Sequence, residues 1–173
     1  MSLHNALSDE KFWKIIAVWW HSLDDDRGQR AELRRAKTPA EVYISPAYRD
    51  GIVRNLTQFA LTESELERLA LPIGVLARVR NLTSGSHFAA LFGTRGKGSP
   101  AMRDVRFRRL LAIANDNTDG MDENRDELFR ILVRMVRLTD DTATLNGLIK
   151  GGIWWNDVTK REWARQYYTH RTN

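Results

Sequence analysis

The chain of 173 residues contains no cysteine. That absence excludes disulfides, zinc–thiolate sites and thiol nucleophiles together. Histidine is scarce: His4, His21, His87 and His170 are scattered, with no His-x-x-x-His pair and no acidic partner at metal-ligand spacing. No Gly-x-Ser-x-Gly elbow occurs, so nothing marks a serine hydrolase. With no cofactor or metal motif complete, the chain is expected not to be an enzyme. No apolar run approaches the roughly eighteen residues of a membrane span. Met1–Glu10 lacks the basic-then-apolar pattern of an export signal, and a soluble cytoplasmic protein is expected.

What is present is a chain with 42% hydrophobic and 28% charged residues, a balance that supports one folded domain with a buried core. Its 27 cations include only six lysines, so arginine dominates. The planar guanidinium suits phosphate oxygens and stacks on bases, although the same arginines could pair with the 22 acids. Charge falls in blocks: residues 1–26 are net −3, 27–80 are +4, 81–112 are +5, 113–141 are −4 and 142–173 are +3. Such alternation polarises the surface toward an anionic partner.

The dominant period is helical. A first helix capped by Ser8 carries Phe12, Ile15, Ile16, Trp19 and Leu23 on one stripe. A short basic helix follows over about 29–36. Thr38-Pro39-Ala40-Glu41 and Thr62-Glu63-Ser64-Glu65 are capping boxes, and Ser45-Pro46 opens a helix bearing Tyr48, Ile52, Leu56 and Phe59. Pro72 is expected to kink or split the helix begun at Thr62. Residues 81–100 read as one irregular stretch, interrupted by a helical turn at His87–Phe92. Ser99-Pro100 starts a helix with Phe107, Leu110 and Leu111 inward, and helices over about 124–138, 143–155 and 157–169 complete the chain. No strand pattern of comparable strength and no internal repeat occurs. The expectation is all-α: one compact domain over 1–173 of about eight or nine helices, with helical halves at about 8–80 and 101–170.

Several fragments of motifs weaken on inspection. Gly93-Thr94-Arg95-Gly96-Lys97-Gly98 lacks the spacing of a phosphate loop and has Gly98 where a magnesium-binding hydroxyl belongs. The segment from Asn115 resembles a calcium loop at Asn117, Asp119 and Gly120, but Asn115, Asp122 and Asp126 break the pattern at positions one, eight and twelve. An acidic connector explains it better. Trp19 belongs to the core, and Trp20, Trp154 and Trp155 read as half-exposed contacts for a protein partner rather than stacking platforms.

Arginine at helical spacing remains. Arg27, Arg30, Arg34 and Arg35 cluster on the second helix with Lys37 beyond. Arg106 and Arg109 lie on one flank of the Phe107 helix, Arg108 on the other and Arg103 at its entrance, with only Glu32 and Asp104 nearby to neutralise the two clusters. Such arrays grip phosphates without reading sequence. Arg130, Arg134 and Arg137 are expected to pair within their own helix, with Asp126 and Glu127 as the partners of Arg130.

Taken in order, Trp19-Trp20-x-x-Leu23, Gly28-x-Arg30-Ala31-x-Leu33-Arg34-Arg35-Ala36, Thr38-Pro39, Arg106-Phe107-x-x-Leu110-Leu111, Leu132-x-Arg134 and Arg161-x-Trp163-Ala164-x-x-Tyr167-Tyr168 resemble the CasB small-subunit family of the type I-E CRISPR Cascade complex, over roughly residues 12–168. The resemblance implies an all-helical, non-catalytic subunit, two copies per complex. Its partners would be other Cascade subunits, crRNA and the target and non-target DNA strands, and its basic faces would stabilise the R-loop. It points to Arg30, Arg34, Arg35, Arg106 and Arg109, and to Lys160 and Arg161, as backbone contacts. The alternative is a helical protein–protein adaptor or regulator, calcium-tuned, without nucleic-acid contact.

Overall fold

The computed structural model describes residues 1–116 and 123–173, and these are predominantly helical. Nine helical segments among them run seven residues or more, in accord with an all-α chain. Internal packing divides the chain into two units, Met1–Ala77 and Arg78–Asn173.

Unit 1 begins with α1 (Leu3–Ala6) and α2 (Glu10–Ser22). Asp9, not Ser8, caps α2, its carboxylate accepting the Lys11 N–H at 2.9 Å. Phe12, Ile16, Trp19 and Trp20 form the buried stripe of α2. The basic helix is α3 (Arg27–Arg35), and α4 (Pro39–Ile44) starts at the Thr38 cap as its sequence predicts. Ser45-Pro46 opens a π-helical segment, Ala47–Val53, followed by a 3-10 turn, Thr57–Phe59. Gly51 in that segment lies against Gln29 of α3, where a Cβ would come within 2.8 Å of Oε1. Helix α5 (Glu63–Leu76) has its full capping box and runs through Pro72 unsplit. Every residue from Leu69 to Leu76 is buried, and packing on all sides offsets the hydrogen bond that proline removes.

Unit 2 contains β1 (Asn81–Thr83), α6 (Phe88–Arg95), α7 (Pro100–Leu111), α8 (Glu123–Leu138), β2 (Thr142–Thr144), α9 (Leu145–Ile153) and α10 (Asp157–His170). The two short strands pair in parallel, Asn81 opposite Thr142. Helix α6 corrects the reading of 81–100 as irregular. Its Gly93 is a packing residue: a Cβ there would sit 3.1 Å from the Arg171 backbone and 3.2 Å from the Tyr167 ring. Phe88, Phe92, Phe107, Phe129, Trp155, Trp163 and Tyr167 build the aromatic core. Trp20 and Trp155 are 5% and 0% exposed, so of the three tryptophans expected at a partner surface only Trp154 keeps partial exposure. No helix among the described residues is long and apolar enough to cross a membrane.

Candidate nucleic-acid interface

Helix α3 is seated by its apolar and amide side chains. Leu33 is fully buried, the Asp26 carboxylate caps the first turn by accepting the Gln29 N–H, and Trp19 Nε1 donates to Gln29 Oε1 at 2.8 Å. This fixes the rotation of the helix, leaving Arg27, Arg34, Arg35 and Lys37 exposed. Arg30 turns inward instead. Its side chain is 13% exposed, and Nη2 lies 3.3 Å from Asp24 Oδ1, an electrostatic contact without hydrogen-bond alignment.

Helix α7 separates its arginines more sharply. Arg103, expected at the exposed entrance, is 8% exposed. Its guanidinium donates to the carbonyls of Gly96, Gly98 and Thr172, at 3.3, 3.0 and 2.6 Å. Arg106 is half-buried and donates to the Lys97 carbonyl at 2.7 Å. Arg108 and Arg109 remain exposed. Asp104, the one acid on the helix, accepts from the Tyr167 hydroxyl and from Arg171, both at 2.7 Å. The Tyr167 hydrogen bond, joined by Arg171, holds the Asp104 carboxyl below its usual range, while burial and then Asp104 push the Tyr167 hydroxyl up. Arg109 has no ion-pair partner among the described residues.

On α10, Lys160 is half-buried and donates to the Ile113 carbonyl at 2.5 Å, capping the chain just past α7, whereas Arg161 is exposed. Helix α8 carries a row that sequence reasoning set aside. Arg130, Arg134 and Arg137 are all exposed, one turn apart, and none forms an ion pair with a described residue. The expected pairing of Arg130 with Asp126 or Glu127 does not form. The signal was available as the 3–4 spacing of the three arginines opposite the buried Leu128, Leu132 and Met135.

The glycine-rich loop is not a phosphate cradle. Gly96 N–H donates to the Phe92 carbonyl and Lys97 N–H to the Leu138 carbonyl, both at 2.8 Å, so these amides are already used. The Lys97 ammonium itself pairs with Asp140 at 2.6 Å. Of the calcium-like segment, Asn117, Asp119, Gly120 and Asp122 lie outside the described residues. Asn115 donates to Asp157 at 2.9 Å, and Asp116 forms a buried ion pair with Arg125 at 3.0 Å while accepting the Trp155 N–H. Among the described residues no group of three metal-ligating side chains converges.

Helices that keep arginines outside while the neighbouring carboxylate is used internally define an all-α protein presenting cationic ridges. Residues 29–168 match the family model for CRISPR-associated protein Cse2. The chain belongs to that family, the CasB small subunits of type I-E Cascade, as the ordered sequence motifs indicate. It is therefore a subunit of a CRISPR Cascade complex. Comparisons with curated proteins and with solved structures gave no match.

Proposed function

We propose that this subunit is non-catalytic, works in the cytoplasm and grips DNA backbone without sequence preference, stabilising the R-loop while the crRNA reads sequence by base pairing. The reading is carried by Arg109: exposed and without a carboxylate partner among the described residues, on a helix whose single acid is held by Tyr167 and Arg171. Arg27, Arg34 and Arg35 of α3, Arg108 of α7, the α8 row and Arg161 of α10 extend the cationic surface of their respective units. Arg30, Arg103, Arg106 and Lys160 support these surfaces from within. The partners are the other Cascade subunits, crRNA and both DNA strands, with two copies of this chain per complex.

A filter-binding titration of the full chain against salt tests the reading. Each arginine that neutralises a phosphate contributes about 0.7 to 0.9 to the slope of log affinity on log salt. Arg35→Ala and Arg109→Ala are each expected to remove about that much slope. A flat salt response, or a double Arg35→Glu, Arg109→Glu variant that binds as the parent does, defeats it. A helical adaptor without nucleic-acid contact is the second reading, favoured by the 74% exposure of Ile44 and 60% of Val18. Protection of tryptophan on adding a Cascade protein, with no response to DNA, separates the two.

A further inference from the structure

Of the sixteen phenylalanine, tryptophan and tyrosine residues of the chain, fifteen are buried or half-buried and Tyr168 is exposed, at 43%. Its setting is built rather than incidental. Helices α7 and α10 run antiparallel: Asp104 meets Tyr167 and Arg171, Phe107 stacks on Tyr167 at 3.9 Å and 12°, and Ile113 meets Lys160. The Tyr168 ring is held edge-on by Phe107 at 5.8 Å and by Tyr167 at 5.1 Å. The Arg171 guanidinium covers one side, its Cζ 4.9 Å from the ring centroid, and is itself fixed by Asp104. Along α10, Tyr168 shares an exposed row with Arg161 and Arg165 at helical spacing, Arg165 being paired with Glu162. Arg161 and Tyr168 are two turns apart, about 10 Å, short enough for one strand to reach both.

We infer that Tyr168 is a stacking platform for an unpaired nucleobase, so that this edge of unit 2 takes single-stranded rather than duplex nucleic acid. The inference rests on the backbone-gripping reading above and names its substrate form. A base needs an open, preoriented π surface next to cations that hold the flanking phosphates, and every base offers such a face whatever its sequence. The ring is already immobilised by its edge contacts, so little side-chain freedom is lost on stacking. The guanidinium on the covered side completes an arginine–tyrosine–base stack. In duplex DNA the base faces are occupied by their neighbours, and the same ring gains nothing.

The test is a fluorescence-anisotropy titration of the full chain with three labelled probes: an oligothymidylate, an abasic strand of equal length and a duplex. Tyr168→Leu is expected to weaken oligothymidylate binding at least about fivefold while leaving the salt slope and the abasic and duplex affinities unchanged. Tyr168→Phe is expected to bind all three as the parent does. Ultraviolet irradiation of a complex with a bromodeoxyuridine-substituted strand should place the crosslink on Tyr168, a readout on the unaltered chain. Equal oligothymidylate binding by parent and Tyr168→Leu, an equal loss on the abasic strand, or a crosslink elsewhere overturns the inference alone. A parent chain that binds none of the probes removes the backbone-gripping reading as well.

Discussion

The Arg103 guanidinium donates to the Thr172 carbonyl at 2.6 Å, tying α7 to a segment sixty-nine positions further along the chain. A side chain that resembles a phosphate contact in sequence is thus a brace for the C-terminal residues. Arg103→Gln is expected to lower the free energy of unfolding by about 2 kcal/mol, because buried carbonyls lose a charged donor. The salt slope of DNA binding should stay at the parent value. A slope lower by about 0.7 to 0.9 with unchanged stability would instead make Arg103 a phosphate contact.

Asp116 and Arg125 are 8% and 4% exposed at their side chains, and the guanidinium also donates to the Gly152 and Ile153 carbonyls. Arg125→Met leaves the buried Asp116 carboxylate without its guanidinium, and a loss of about 3 to 5 kcal/mol is expected. The double variant Asp116→Asn, Arg125→Met should recover part of that loss in urea unfolding. Additive losses would show that the pairing itself matters little.

Gly147 holds φ at +86° inside α9, and the His87 ring lies 2.3 Å from where a Cβ would be. Gly147→Ala should cost at least about 2 kcal/mol from backbone strain and overlap combined. His87→Ala reopens the space, so the pair should be more stable than the sum of the two losses predicts. A Gly147→Ala variant melting within a degree of the parent would show that the bend is not required.

His87 caps α6 by accepting the Ala89 N–H at Nδ1 and packs edge-on against Trp163. Burial lowers its pKa from 6.5 to about 4, against the raising effect of Glu162 and with a further lowering effect of Arg165. Between those values the unfolded chain binds a proton that the folded chain does not. Stability is therefore fully present above the unfolded value and lost as pH falls toward the folded one, by on the order of 2 kcal/mol. His87→Asn, which can still cap, should flatten that part of the pH profile measured by urea unfolding. The carboxylates with lowered pKa values act in the same direction and remain in both proteins, so the difference between the two profiles isolates the histidine. Identical profiles would count against a neutral buried imidazole.

The elements that local chemistry specifies were legible from the sequence. Thr38, Thr62 and Ser99 each cap the helix expected of them, because a cap depends on a few adjacent residues. Family membership was legible because the motifs kept their order along the chain. The π-helical segment was not, since Tyr48, Ile52 and Leu56 fit an ordinary helical spacing equally well. Gly93 and Gly96 read as loop residues because the crowding that requires them comes from Arg171, Tyr167, Phe92 and Arg103. The division among arginines was hidden for the same reason. Arg103 and Arg109 are chemically identical, and the carbonyls of Gly96, Gly98 and Thr172 receive the one that turns inward.

The three-residue parallel pairing of β1 with β2 joins Asn81 to Thr142, residues far apart along the chain. Closing so large a loop delays the enthalpic return, so unit 2 is expected to acquire its native pairing late. On the ribosome β1 emerges roughly sixty residues before its partner strand exists, and its edge must wait unpaired until then.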